Sequence, residues 1–107
     1  MTDDSFSDCN ETAAVPAGAL VRTFPIINRK GLHARATAKF VQCAELFDAR
    51  ITVSRCGETV GGDSIMGILT LGAGIGTTIT VSAAGEQAVQ ALDALEALVA
   101  NRFGEDE

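Results

Sequence analysis

The sequence is poor in basic residues and in long apolar runs, and each shortage argues against a class of function. It contains 8 Lys and Arg against 14 Asp and Glu, which gives a formal net charge of −6. Affinity for a nucleic-acid backbone is built from clustered Lys and Arg, so we expect no nucleic-acid partner. No segment approaches the ~18 consecutive apolar residues of a membrane-spanning helix, so we expect no membrane partner.

Metal and nucleotide patterns are missing as well. The chain has one histidine, and its three cysteines form no CxxC pair or other ligand spacing, which argues against a metal site. Gly57 and Gly62 have the spacing of a phosphate-binding P-loop, but Asp63 occupies the position of its lysine and would repel phosphate. We expect neither a metal nor a bound cofactor.

The two ends of the chain hold much of the negative charge. The first ten residues, MTDDSFSDCN, are acidic where a secretory signal peptide is basic, so we expect a cytoplasmic protein. Residues 1–18 show no sustained apolar period, and we predict a disordered acidic extension there. One domain is expected over 19–104, and residues 105–107 are expected to form a solvated acidic tail.

Apolar periodicity divides the predicted domain into strands and helices. Strands are predicted at 20–27, 50–54, 59–60 and 77–82, and helices at 34–47, 65–69 and 85–103. Pro25 lacks a backbone donor, which favours an edge position or a bulge in the first strand. The order β-α-β-β-α-β-α indicates an α+β fold, an antiparallel sheet covered on one face by helices.

Glycines delimit the predicted last helix. Gly85 opens it, Glu86 lies in its first turn, and Gly104 ends it. Its core face is predicted to consist of Val89, Leu92, Leu95, Val99 and Phe103.

His33 is the only histidine and lies where a loop becomes a helix. The first N–H groups of a helix have no intrahelical partner and form the positive end of its dipole, which suits a phosphate built on this imidazole. Arg35 could donate charge-assisted hydrogen bonds to the phosphoryl oxygens. An ordinary capping or surface histidine is the alternative, and the residues alone leave it open.

Ser64 and the two residues after it also have two interpretations each. Ser64 is a good N-cap for the short helix and needs no other role, yet a phosphate there would be tolerated by the helix. Ile65 and Met66 either pack in the core or form an exposed docking surface that such a charge would disturb.

Two segments together resemble the HPr family, the phosphocarriers of the phosphoenolpyruvate-dependent phosphotransferase system. The segment GLHAR, residues 31–35, is similar to the active-site motif of the family. The segment GDSIMGIL, residues 62–69, is similar to its regulatory-serine segment. The resemblance covers about Leu20 to Phe103 and, with the same element order, is highly specific.

The resemblance implies an open-faced β-sandwich of four antiparallel strands under three helices. It implies that enzyme I phosphorylates His33 on Nδ1 and that the group passes to an EIIA-type acceptor. Arg35 would steady the phosphate, and Ser64 would be a target of HPr kinase/phosphorylase. Ile65 and Met66 would contact partners, and the carrier is expected to be a monomer without a cofactor or a metal.

Ala36 departs from the family pattern, in which many members have a proline that starts the helix. Alanine is a good helix former, so we expect the helix end to survive with a slightly looser loop. The segment GLHARATAKFV looks more like the nitrogen-related (NPr-like) branch than the sugar-transport carriers.

The sequence is also compatible with two other functions. A regulatory binding module would act through phosphorylation of Ser64 and partner docking, with His33 idle. A small acidic domain that binds a metabolite is the more remote alternative.

Overall fold

The structure, a computed structural model, describes residues 18–105 and has the predicted order of elements. Residues 1–17 of the extension predicted over 1–18, and Asp106 and Glu107 of the predicted tail, lie outside the described residues. The strands are β1 Leu20–Pro25, β2 Arg50–Arg55, β3 Glu58–Gly61 and β4 Thr78–Ala84. The helices are α1 Ala34–Ala44, α2 Ile65–Thr70 and α3 Ala88–Ala100, and Arg102–Gly104 form a C-terminal 3-10 turn.

The four strands form one antiparallel sheet in the order β1-β4-β2-β3. Alternate side chains of a strand point to opposite faces, so Ile51 and Val53 of β2 point to the same face as Ile79 and Val81 of β4. These side chains are buried together with those of the helices. The predicted α+β fold, an open-faced sandwich with helices on one face, is confirmed.

The first strand lies at an edge of the sheet, as Pro25 predicts. On the side of β1 that faces α3, Nη1 of Arg22 donates to Asp93 at 2.7 Å and to Glu96 at 2.8 Å. These pairs link the edge strand to α3, but they are exposed and each contributes little to stability.

The first helix ends at Ala44, and its predicted extension to Phe47 is wrong. After it, the N–H of Leu46 donates to the carbonyl of Cys43 at 3.1 Å, three residues back rather than four. This tighter turn ends the α-helix. Phe47 nevertheless packs against the core from the loop, which explains why it follows the apolar period.

The last helix begins at Ala88, after its predicted start. The backbone of Gln87 donates to the carbonyl of Asp48 at 3.1 Å, and its side chain accepts from the N–H of Asp48 at 2.6 Å. These bonds hold the preceding residues in a turn against the α1–β2 loop, so Glu86 precedes the helix rather than lying in its first turn.

The predicted core face of α3 is partly wrong. Val89 is 49% exposed, because the buried face of the helix follows a different line of residues. That face consists of Ala88, Ala91, Leu92, Leu95 and Val99. Phe103 is buried as predicted, but from the C-terminal turn rather than from the helix. Over residues 18–105 no helix is long and apolar enough to cross a membrane.

Candidate functional site

The loop between β1 and α1 is built around Gly31. This residue has φ +66, and a Cβ on it would lie 2.5 Å from the carbonyl oxygen of Ala73. Only glycine permits this backbone and this close approach. The N–H of the next residue, Leu32, donates to the same carbonyl at 2.9 Å, so the loop is fixed against residues 73–74.

His33 occupies the N-cap position of α1 and has extended backbone angles. Its carbonyl accepts the first helical hydrogen bond, from Thr37 at 2.9 Å, but its side chain makes no capping bond. The N–H groups of residues 34–36 belong to the first turn and have no intrahelical acceptor. His33 therefore stands at a helix N-terminus whose donors its own side chain does not use.

Nε2 of His33 forms a hydrogen bond with the side chain of Glu105. The imidazole is 28% exposed and the carboxylate 19%, so the pair is partly shielded from water. The hydrogen bond from His33 is the main cause that holds the pKa of Glu105 below its usual value. The hydrogen bond from Asn28 and the positive charge of Lys30 lower the pKa of Glu105 further, against the effect of burial.

Asn28 joins the loop to the carboxylate. Its side chain is fully buried, and Nδ2 donates to the carbonyl of Gly31 at 2.8 Å and to Oε1 of Glu105 at 3.1 Å. These two bonds satisfy both donors of the Asn28 amide, whereas its Oδ1 is buried without a hydrogen-bond partner among residues 18–105. Glu105 is thus held by two residues of the loop that carries the histidine.

The C-terminal turn brings Glu105 to this loop. Phe103 is fully buried with φ +55, and Nζ of Lys39 on α1 donates to its carbonyl oxygen at 2.6 Å. Beyond it, the N–H of Glu105 donates to the carbonyl of Arg102 at 2.9 Å. The chain therefore reverses after α3 instead of leaving the domain.

Glu105 and Asn28 are site residues that the sequence reasoning missed. A solvated tail is the prediction for residues 105–107, and at Glu105 it is wrong because the carboxylate is bound to His33 and Asn28. The one sequence signal for Glu105 is Phe103, two residues before it. An aromatic residue buried at that position keeps the end of the chain close to the core. Asn28 lies between the predicted first strand and first helix, where no local pattern indicates a role for it.

The structure does not bring Arg35 into contact with His33. Arg35 is an exposed residue of the first turn of α1, and it forms no hydrogen bond or ion pair with any residue between 18 and 105. Arg35 belongs to the same turn as the N–H groups that have no intrahelical acceptor. An anion bound at that turn would be within the general reach of a long flexible side chain.

Ser64 is the N-cap of α2, as predicted. Its Oγ accepts a hydrogen bond from the N–H of Gly67 at 3.0 Å, which satisfies one donor of the first turn. A Cβ on Gly67 would lie 2.8 Å from this oxygen and 3.0 Å from Cβ of Val60. The glycine therefore lets the cap and strand β3 approach the helix.

Ile65 and Met66 lie on the surface, 40% and 71% exposed, whereas Ile68 of the same helix is fully buried. Core packing is therefore the role of Ile68 and not of the other two residues. The helix that carries them contacts α1, so this apolar patch and His33 belong to adjoining elements.

Comparison with known families gives a match over most of the chain. The family model described as "PTS HPr component phosphorylation site" matches residues 20–101. The phosphocarrier protein HPr of Cupriavidus necator is 51% identical over 88 residues, which are 82% of this chain and 99% of that protein. The phosphocarrier protein HPr of Pseudomonas aeruginosa is 48% identical over 83 residues, 77% of this chain and 92% of that protein.

Solved structures of the same kind share the fold. HPr-C-His from Thermoanaerobacter tengcongensis has a TM-score of 0.79 at 40% identity, over 82% of this chain and 99% of that one. The phosphocarrier protein HPr from Bacillus anthracis has a TM-score of 0.73 at 41% identity, over 76% of this chain and 96% of that one.

Proposed function

Since the chain belongs to the HPr family of phosphocarrier proteins of the phosphotransferase system, we propose that His33 accepts the phosphoryl group and passes it on. One observation carries this proposal. His33 stands at the N-terminus of α1 with Nε2 bound to Glu105, while Nδ1 has no hydrogen-bond partner among the described residues. A ring held in this way has one nitrogen left for attack on phosphorus.

The surroundings of His33 suit a reversible acceptor. The N–H groups of residues 34–36 are donors without intrahelical acceptors, and the positive end of the helix dipole favours the dianionic phosphoryl group. Arg35 on the same turn can supply charge-assisted hydrogen bonds to phosphoryl oxygens. Transfers of this kind need alignment and charge stabilisation more than covalent machinery, and a small loop at a helix end provides both.

The donor in this proposal is enzyme I, charged by phosphoenolpyruvate, and the acceptor is an EIIA-type protein. Ile65 and Met66 form the partner-docking surface, because they are exposed apolar residues on a helix that contacts α1. A small apolar patch with a polar surround suits brief encounters. We place the carrier in the cytoplasm as a monomer and in the nitrogen-related branch, on the likeness of GLHARATAKFV to that branch.

Ser64 is proposed as a regulatory phosphorylation site for HPr kinase/phosphorylase. A phosphate on its Oγ would lie at the start of α2, where negative charge is tolerated, and directly beside Ile65. The added charge would oppose docking of an apolar or acidic partner. A module that acts only through Ser64, with His33 idle, is the alternative function.

Intact-protein mass tests the proposal. The chain is incubated with phosphoenolpyruvate and either a sugar-type or a nitrogen-type enzyme I, and its mass is measured before and after mild acid. We expect one phosphoryl group that is lost in acid, its absence from His33→Ala, and its retention in Ser64→Ala. Uptake of acid-labile phosphate by a folded His33→Ala variant would overturn the assignment of His33. Acid-stable phosphate as the only modification would favour the Ser64 module.

A further inference from the structure

The carboxylate of Glu105 divides its two oxygens between two residues of the site. Oε2 is bonded to Nε2 of His33, and Oε1 accepts from Nδ2 of Asn28 at 3.1 Å. An ionised carboxylate only accepts hydrogen bonds, so the shared proton belongs to the ring nitrogen. A neutral imidazole carries one proton, and Nδ1 therefore keeps its lone pair.

We infer that Glu105 is a positioning residue for the phosphoryl transfer, which holds the proton on Nε2 of His33 and orients the ring so that Nδ1 meets the phosphorus atom. The inference rests on the proposed function and adds to it a residue that does not touch the phosphoryl group. A carboxylate that fixes the tautomer and orientation of an imidazole has the same role in Ser-His-Asp hydrolases.

The carboxylate can orient the ring because the fold holds its own backbone. Phe103 is buried in the core, and Lys39 on α1 binds the carbonyl of Phe103. Arg102 and Phe103 both have left-handed backbone angles, which non-glycine residues adopt only where the surroundings impose them. The turn is therefore a specific structure that presents Glu105, rather than a frayed helix end.

The carboxylate also has a part in the charge balance of the transfer. The donor is taken to be a phosphohistidine of enzyme I. The lone pair of Nδ1 forms the new N–P bond, and the N–P bond of that phosphohistidine breaks with its electron pair returning to the donor imidazole. The proton on Nε2 stays in place, so the phosphorylated ring of His33 gains a positive charge. Glu105 faces that charge from the side opposite the phosphoryl group, which stabilises it without competing for the phosphoryl oxygens.

Nuclear magnetic resonance of the ring nitrogens tests the first half of the inference. His33 is the only histidine of the chain, so its ¹⁵N signals need no assignment. The spectra are recorded on the alkaline side of the titration that the same signals report, so that the ring is neutral. We expect one tautomer with a protected Nε2 proton in the wild type. Glu105→Ala should show a mixture of tautomers and rapid exchange of that proton, and Glu105→Gln, whose amide oxygen still accepts, should keep most of the Nε2–H form.

Phosphorylation kinetics with enzyme I test the second half. We expect Glu105→Ala to lower kcat on the order of tenfold and to leave KM within about twofold, because its inferred role is to orient the ring and not to bind enzyme I. Glu105→Gln should recover part of kcat. The matched control is Glu86→Ala, which removes an equal charge from an exposed residue before α3 and should behave as the wild type.

The outcomes separate the inference from the proposed function. A folded Glu105→Ala variant with the wild-type tautomer and kcat would overturn the inference, although His33 would remain the acceptor. An equal loss of kcat in Glu86→Ala would overturn it too, since the effect would be one of overall charge. A wild-type chain that takes up no acid-labile phosphate would overturn the proposed function and the inference together.

Discussion

Lys39 donates a hydrogen bond from Nζ to the carbonyl oxygen of Phe103, at 2.6 Å, and so joins the middle of α1 to the C-terminal turn. The acceptor belongs to a residue with φ +55, whose carbonyl is outside the regular bonding of α3. The ammonium of Lys39 thus links the helix that His33 precedes to the turn that Glu105 follows.

Replacing Lys39 by Met is expected to lower the free energy of unfolding by about 1 kcal/mol, because a partly buried charge-assisted hydrogen bond is lost. Urea unfolding measures this change. The control is Lys39→Arg, which keeps a cationic donor and should lose less. Equal stability of Lys39→Met and the wild type would show that the bond does not hold the turn.

Gly31 and Gly72 form a matched pair for testing the loop that carries His33. Their φ values are nearly equal, +66 and +65, but a Cβ on Gly31 would meet the backbone at 2.5 Å while one on Gly72 would meet nothing within 4 Å. Gly72→Ala should therefore cost only the left-handed conformation, about 1 kcal/mol. Gly31→Ala should cost at least about 2 kcal/mol more, because the backbone of residues 73–74 must move. Equal losses in denaturant unfolding would contradict the close packing of this loop.

Acid should weaken the fold through Glu105. The pKa of its carboxyl lies below the usual 4.5, chiefly because His33 donates a hydrogen bond to it. A carboxyl with a lower pKa in the folded chain stabilises the fold above its unfolded pKa, and this stability is lost as pH falls through the folded value. Between about pH 5 and pH 3 the wild type should lose stability more steeply than Glu105→Gln. Parallel curves for the two proteins in urea unfolding would argue against the interaction.

Ser64 should show a structural role that is separable from any modification. Ser64→Ala removes the acceptor for the N–H of Gly67 and should lower stability by about 1 kcal/mol. Ser64→Asp keeps an N-cap acceptor and should retain near-wild-type stability, while its charge beside Ile65 should raise the KM for enzyme I. Thermal unfolding measures the stability of the variants, and phosphorylation kinetics measure their KM for enzyme I. An unchanged KM in Ser64→Asp would remove the support for electrostatic regulation at this residue.

Local patterns predicted the elements well, and long-range contacts explain what they missed. Ser64 was recognised as an N-cap because capping depends on residues within one turn. The prediction that Val89 belongs to the core face is wrong because α3 carries apolar residues on two adjacent faces. The sequence of the helix does not show which of these faces packs on the sheet. The sequence does not predict the role of Glu105, because its partner His33 is 72 residues away and apolar periodicity carries no information about such a contact. Only the buried Phe103 hinted that the acidic end stays with the domain.

The strand order also sets the course of folding. The central strand β4 pairs with both β1 and β2, yet it follows them in the chain by more than twenty residues. Of the strand pairs, only the β2–β3 hairpin can form from neighbouring segments. During synthesis the first strand must therefore wait for residues 78–84 to emerge before it gains its partner. We therefore expect closure of the long loop between β1 and β4 to slow folding, and the site at the start of α1 is completed only when Glu105 joins it.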